Sequence, residues 1–333
     1  MVNYRNVMIY VEVIEGRLGI ITKELLGVGR KLASDLGEEL CAVLIGSNVS
    51  HFTKEIIAFG ANKVYVVDDP LLEDYHTESY ILSMTKVVEQ GKPRILLLGQ
   101  TPVGLDLSPR LAFRLNTDIV LDCVELAIDP EKKLLLRTKP VYGGKAMATF
   151  VSESFPQMAT LRPKSMPPSE KDDSRQGEVK TIHTGLDPLA IRTRLLERVE
   201  EKAEGIKLED AEIIIAGGRG IGGAEGFKQL EELANLLEGA TVGATRAACD
   251  AGWVPTTIQI GLTGKIVAPK VYIAAALSGA SQHMTGCSGS QNIVAINKDP
   301  RANIFKEAKL GVVGDWKIVL PTFIKKIHEL SKD

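Results

Sequence analysis

Residues 211–230 read AEIIIAGGRGIGGAEGFKQL, an apolar run that ends in clustered glycines and passes into a charged, amphipathic pattern. An apolar run without alternation is what a strand covered on both faces of a parallel sheet looks like, and a glycine turn into a helix is how such a strand returns. Further along, the predicted elements are a helix over 226–237, strands over 241–244, 271–275, 293–296 and 311–313, and a helix after Pro321. The carboxyl-terminal part is therefore expected to be a doubly wound parallel sheet with glycine at the ends of its strands. Ligands of open parallel sheets bind beyond those strand ends, which makes this part the expected binding domain.

Gly218, Gly220 and Gly223 satisfy GxGxxG, so a dinucleotide site of the nicotinamide type is the first rival reading. Such a site needs Asp or Glu at the end of the next strand to hold a ribose, whereas GATVGATRAACDAG (239–252) carries Thr245 and Arg246 there. An NADP site tolerates an arginine, but no hydride-transfer constellation accompanies it. The bland alternative is that the glycines let a strand-turn-helix corner pack tightly.

Working outward, the first half alternates strands over 6–13, 40–45, 63–67 and 94–98 with helices over 23–36, 53–59 and 78–89. This order predicts an amino-terminal α/β domain, a mainly parallel sheet in three layers. GQTPVGLDLSPRLAFRLN (99–116) predicts a turn and a helix in which Pro109 begins or kinks the helix. Residues 118–150 alternate like hairpin strands joined by Asp-Pro and Gly-Gly turns, an antiparallel extension. RPKSMPPSEKDDSR (162–175) is too charged and proline-rich to be expected to pack, and 189–203 reads as an exposed, charged connector helix. The domains are expected at 1–205 and 206–333, the first a nucleotide-hydrolase-like scaffold and subunit-docking domain without a phosphate-gripping loop.

The chain has 333 residues, 44% hydrophobic, enough for two cores. Its 40 basic and 42 acidic residues give a formal charge of -2, which offers no footprint for nucleic acid. Cys41, Cys123, Cys249 and Cys287 are scattered without CxxC or His/Cys spacing, so no metal site is expected. No apolar stretch reaches the roughly 20 residues that span a bilayer, and MVNYRNVMIYVEV lacks a secretory leader pattern, so a cytoplasmic protein without membrane insertion is expected.

Three stretches then carry a resemblance. TRAACDAGWVP (245–255), GLTGKIVAPKVYIAAALSGASQHMTG (261–286) and IVAINKDPRANIF (293–305) together resemble the flavin domain of the electron transfer flavoprotein alpha subunit family, FixB-like members included. The likeness is strong from Ala211 onward and weaker in GQTPVGLDLSPRLA (99–112). It implies a heterodimer with a beta subunit that carries AMP or, in electron-bifurcating members, a second FAD, while this chain holds FAD in its carboxyl-terminal domain.

By the same resemblance Thr245 and Arg246 bind the cofactor, and Arg246 lies beside the isoalloxazine, where a permanent positive charge favours the reduced, anionic flavin. The bland reading of Arg246 is an ion pair with Asp250. His283 matches the histidine near the pyrimidine side; neutral, it donates to a ring carbonyl, and protonated it would favour reduced flavin further. Thr263 places a hydroxyl near flavin N5 within the turn of Gly261, Leu262, Thr263 and Gly264. That turn lacks the GxxxxGK[ST] spacing and has Ile266 after the lysine, which disfavours nucleotide hydrolysis. Ser278, Gly279 and Ala280 open a helix whose amides approach the pyrophosphate, with Gln282 adding its side-chain amide. Asn297 and Asp315 match the adenosine end. Leu262 stands where many members have glutamine, removing one hydrogen bond near the flavin.

The expected function is electron transfer through non-covalent FAD, from an acyl-CoA dehydrogenase or other flavoprotein dehydrogenase to a downstream acceptor, with no catalytic side chain in this chain. The alternatives are the alpha subunit of an NADH-dependent bifurcating complex, with ferredoxin or flavodoxin as a partner, and a non-redox nucleotide-binding scaffold.

Overall fold

The computed structural model describes residues 4–142, 144–188, 191–193, 195–197 and 206–330. These fall into two compact units, the first drawn from residues 1–141 and 147–198, the second from 142–146 and 199–333. The expected boundary near Gly205 and most of the expected connector helix over 189–203 lie outside the described residues; 191–193 and 195–197 are in no regular element.

In the first unit the chain runs β1 (Val7–Val11), the small ribbon β2 (Val13–Ile14) and β3 (Arg17–Leu18), α1 (Ile20–Leu36), β4 (Leu40–Gly46), α2 (Thr53–Ala58), β5 (Lys63–Asp68), α3 (Thr77–Gly91), β6 (Ile95–Gly99) and α4 (Pro102–Arg114). It continues through β7 (Ile119–Cys123), β8 (Glu125–Ile128), β9 (Leu135–Val141), β10 (Ala146–Phe150), β11 (Gln157–Leu161) and β12 (Glu178–Thr181). Seven strands form a parallel sheet in the order β12-β5-β4-β1-β6-β11-β7. Along β1, Val7, Ile9 and Val11 enter one core with α1 and α2, while Met8 and Tyr10 enter the other with α3 and α4. Both faces are thus covered, the physical reason for its unbroken apolar run.

Three expectations are corrected. Residues 118–150 are not all hairpin: β8 and β9 pair antiparallel around the Asp129-Pro130 turn, but β7 joins the parallel sheet beside β11. Of the two places expected for Pro109, the start of the helix is excluded: α4 starts at Pro102, capped by the Thr101 hydroxyl accepting from the Gly104 amide at 3.0 Å, and Pro109 sits inside it, the position of the kink alternative. Residues 162–175 do pack, though as irregular chain. Met166 lies against the core, and the amides of Ser169 and Asp172 donate to the carbonyls of Lys23 and Ala58 at 2.9 Å each. Backbone hydrogen bonds supply there what apolar burial does not.

The second unit contains β13 (Ile213–Gly217), α5 (Ala224–Asn235), β14 (Ala240–Thr245), α6 (Arg246–Asp250), β15 (Gln259–Ile260), β16 (Val271–Ala275), α7 (Ser281–Cys287), β17 (Asn292–Asn297), α8 (Ile304–Glu307), β18 (Leu310–Val313) and α9 (Trp316–Leu330). Its six-stranded parallel sheet has the order β15-β14-β13-β16-β17-β18. Ile213 and Ile215 face the core under α5 and α9, whereas Ile214 and Ala216 face that of α7 and α8, which makes the sheet doubly wound. The chain leaves β13 in one direction, through β14 and β15, and returns in the other at β16. The loops after β13 and β16 therefore flank the topological switch point, where such sheets open a crevice.

Candidate functional site

The glycines at residues 217–223 make that crevice narrow at its floor. A Cβ on Gly218 would lie 2.5 Å from the carbonyl oxygen of Ala276, and one on Gly220 2.7 Å from it. The amides of Gly218 and Gly220 donate to the carbonyls of Ala275 and Ala276 at 3.0 and 3.1 Å. These two glycines thus serve close packing of one loop on the next, while Gly223 has open space around it. Ala276 itself is held at φ 50, a conformation uncommon for a residue with a side chain and concentrated at functional sites.

Above this floor lies a cleft of about 1030 Å³ walled by the loops at the carboxyl edge of the sheet. Of the residues named from the sequence, Thr245, Arg246, Gly261, Leu262, Thr263, Ser278, Gly279, Ala280, Gln282, His283 and Asn297 line it. Gly264 and Asp315 do not. A Cβ on Gly264 would meet the Gln259 carbonyl at 2.4 Å, so its place is beneath the turn. Asp315 immediately precedes α9, its carboxylate accepting from the Lys317 amide at 3.0 Å. The structure adds Arg219, Asp299, Arg301 and Asn303, whose only signal in the sequence is their place in the GGRG and NKDPRAN strings.

Each wall has a local cause. The 261–265 turn is tied to α7 by the Leu262 amide donating to the Gln282 carbonyl at 2.7 Å, and a Cβ on Gly286 would strike the Gly261 amide at 2.3 Å. Gly261 and Gly279 take φ of +143 and +74, and a Cβ on Gly279 would lie 2.4 Å from the Ile304 amide nitrogen. Asn297 links β17 to the loop after β16, its side-chain amide donating to the Leu277 carbonyl at 2.9 Å. Thr263 accepts from the Gln259 side-chain amide at 3.1 Å.

Arg246 opens α6 and is two-thirds exposed; its Nε donates to Asp250 at 3.3 Å, so the pairing set against the flavin role is present and lies on the cleft wall. His283 is buried, with Nδ1 3.0 Å from the Ile260 carbonyl oxygen and Nε2 2.8 Å from the Tyr272 hydroxyl. Burial pushes its pKa down to about 4, so at neutral pH the ring is uncharged. The structure gives both ring nitrogens partners inside the unit, which differs from the expected donation to a ligand carbonyl. All four cysteines are buried and free, and burial lifts the thiols of Cys41, Cys123 and Cys287 to about 12, which leaves them unreactive. Among the described residues no group of His, Cys, Asp or Glu is placed to hold a metal ion, and no helix is long and apolar enough to cross a membrane.

The donor set suits a dinucleotide with a diphosphate bridge. Arg219, Arg246 and Arg301 bring positive charge, and the loop at 278–280 with Ser281 and Gln282 presents the backbone amides that precede the first helical hydrogen bonds of α7, those of His283 and Met284 to the Ala280 carbonyl. Asp299, Asn297 and Asn303 supply acceptors and amides for sugar and base. The glycines let the loops that wall the cleft pack closely on one another.

Comparison with known proteins places this chain. The family model described as electron transfer flavoprotein domain matches residues 7–185, and that described as electron transfer flavoprotein FAD-binding domain matches 207–288. The chain is similar to the electron transfer flavoprotein subunit alpha of Thermoanaerobacterium thermosaccharolyticum, 46% identical with 99% of this chain and 100% of that one covered. It is 42% identical to the subunit of the same name from Bacillus subtilis, with 98% of each covered. A third relative, the acryloyl-CoA reductase electron transfer subunit beta of Anaerotignum propionicum, is 37% identical over 98% of this chain and 96% of its own.

Proposed function

This chain belongs to the electron transfer flavoprotein alpha-subunit family, and from that premise we propose that it holds FAD in the cleft of its second unit and relays electrons from a flavoprotein dehydrogenase to a downstream acceptor. The observation that carries the reading is the convergence, on one crevice at the switch point of a parallel sheet, of the turns at 261–263 and 278–280 with Arg246. When bound, FAD supplies the electron chemistry. The chain's own part is to bind and to set energy. Backbone amides at 278–280 with Arg219 and Arg301 hold the diphosphate, Asn297 and Asp299 the sugar, and Arg246 and Thr263 face the ring. Asp315, outside the cleft wall, is kept as a ligand for the adenosine end through the carboxylate oxygen that the Lys317 amide leaves free.

The partners follow in the same spirit. A beta subunit completes the cleft and carries AMP or a second FAD, and the name of the Anaerotignum relative supports an acyl-CoA oxidoreductase as electron donor or acceptor. The working location is the cytoplasm, and the first unit serves as the docking scaffold and the second as the flavin domain, with 1–205 and 206–333 as their proposed bounds. Co-purification with the neighbouring beta subunit, followed by a visible spectrum and flavin count, tests this. One FAD per heterodimer is expected for a simple carrier. Two would assign it to the bifurcating class, with ferredoxin or flavodoxin as a further partner, and a colourless complex would leave only a nucleotide-binding scaffold.

A further inference from the structure

We propose that Tyr272 is a positioning residue for this site: its hydroxyl donates to Nε2 of His283 while Nδ1–H donates to the Ile260 carbonyl, so the imidazole meets the cleft as a neutral ring with no free N–H. Both residues are buried, Tyr272 near the start of β16 and His283 in the first turn of α7, with the 2.8 and 3.0 Å contacts spanning three elements. A carbonyl oxygen only accepts, so the nitrogen facing it carries the proton. Nε2 is then left with a lone pair, and the phenol is the donor that reaches it. The reverse tautomer would set two lone pairs against each other at Nδ1.

Among the groups packed around the pair, the Ile260 carbonyl from β15 favours a protonated ring, and burial outweighs it; from α7 comes the Cys287 thiol, itself in hydrogen-bonding reach of the Tyr272 hydroxyl. The carboxylate that acts on this cluster, Glu307 at the end of α8, acts on Cys287. The consequence for the reaction rests on the FAD reading above: this wall adds no positive charge and leaves electrostatic tuning to Arg246 on the facing loop.

The test is ¹⁵N NMR of histidine-labelled protein, as the full chain in complex with its beta subunit, in the wild type and in Tyr272→Phe. In the wild type the His283 ring is expected as the single Nδ1–H tautomer, uncharged between about pH 5.5 and 8, where a free imidazole would titrate. Removing the hydroxyl takes away the donor that stabilises the neutral form, so the midpoint rises by about one pH unit, the equivalent of one hydrogen bond. The FAD potential of the variant should then exceed that of the wild type near pH 5 and match it near pH 8, the side on which every imidazole is neutral. A tyrosine that only fills space would give the opposite sign or none, because phenylalanine is the more apolar neighbour. An Nε2–H or cationic ring at neutral pH in the wild type overturns the proposal even where the variant does not fold, as does an unchanged or lowered midpoint. A raised midpoint in a colourless complex would keep the role of Tyr272 and remove FAD as the ligand.

Discussion

At the scale of single residues, Arg246 shows how little a visible ion pair says about function. Its bond to Asp250 is 3.3 Å long between side chains that are 66% and 61% exposed, and such surface pairs contribute about 0–1 kcal/mol. The guanidinium is therefore free to turn toward an anionic ring at small cost. Arg246→Ala is expected to lower the FAD reduction potential: each ~1.4 kcal/mol of lost preference for the reduced form is about 59 mV in a one-electron couple. Arg246→Lys should retain most of the effect. Spectroelectrochemistry of the loaded complex reads both, and an unchanged or higher potential in the alanine variant removes the assigned role. Arg246 and His283 were legible because they sit in motif strings. The Tyr272 contact was not, since a tyrosine in an apolar strand reads as core until its partner on another element is known.

Elements were legible in proportion to how local their cause is. The runs at 40–46, 95–99 and 271–275 declare themselves as strands, being apolar on both faces. β11, QMATL, did not, though every one of its residues is buried. Gln157 and Thr160 interrupt the apolar pattern, and their partners are distant in sequence: Gln157 accepts from the Leu135 amide at 2.7 Å, and Thr160 donates to Gln100. Only the completed sheet satisfies them. The same scale yields a stability prediction. A Cβ on Gly104, in the first turn of α4, would fall 1.9 Å from the Gly99 carbonyl oxygen, backbone against backbone. Gly104→Ala should cost at least about 2 kcal/mol, read as a lower denaturant midpoint of the first unit. A cost below about 0.5 kcal/mol, the usual surface value, would mean that helix and strand separate freely.

On the scale of the whole molecule, two buried groups give the units opposite responses to acid. Glu12, at the end of β1 and bonded by the Thr101 hydroxyl at 2.8 Å, has its pKa raised by burial to about 7. Its contribution is present in full below the unfolded value and is lost as pH rises through 7, so the first unit gains on acidification. His283 in the second unit is lowered to about 4; its contribution is present above the unfolded value of about 6.5 and is lost as pH falls through 4. Between pH 7 and 4.5, hydrogen exchange corrected for intrinsic rates should show protection increasing in the first sheet and decreasing in the second. Glu12→Gln should flatten the first response and leave the second. Protection that falls equally in both units would refute this assignment. By itself the sequence determined two α/β halves, the strands covered on both faces and the glycine turns that carry the cleft, because hydrophobic period and backbone freedom are local properties. Tertiary structure alone decided that β11 enters between β6 and β7, that 162–175 is stitched to α1 and α2, and that the His283 nitrogens are occupied. Each of these depends on polar groups whose partners lie far along the chain, and a buried hydrogen bond leaves no periodic trace in either of the segments it joins.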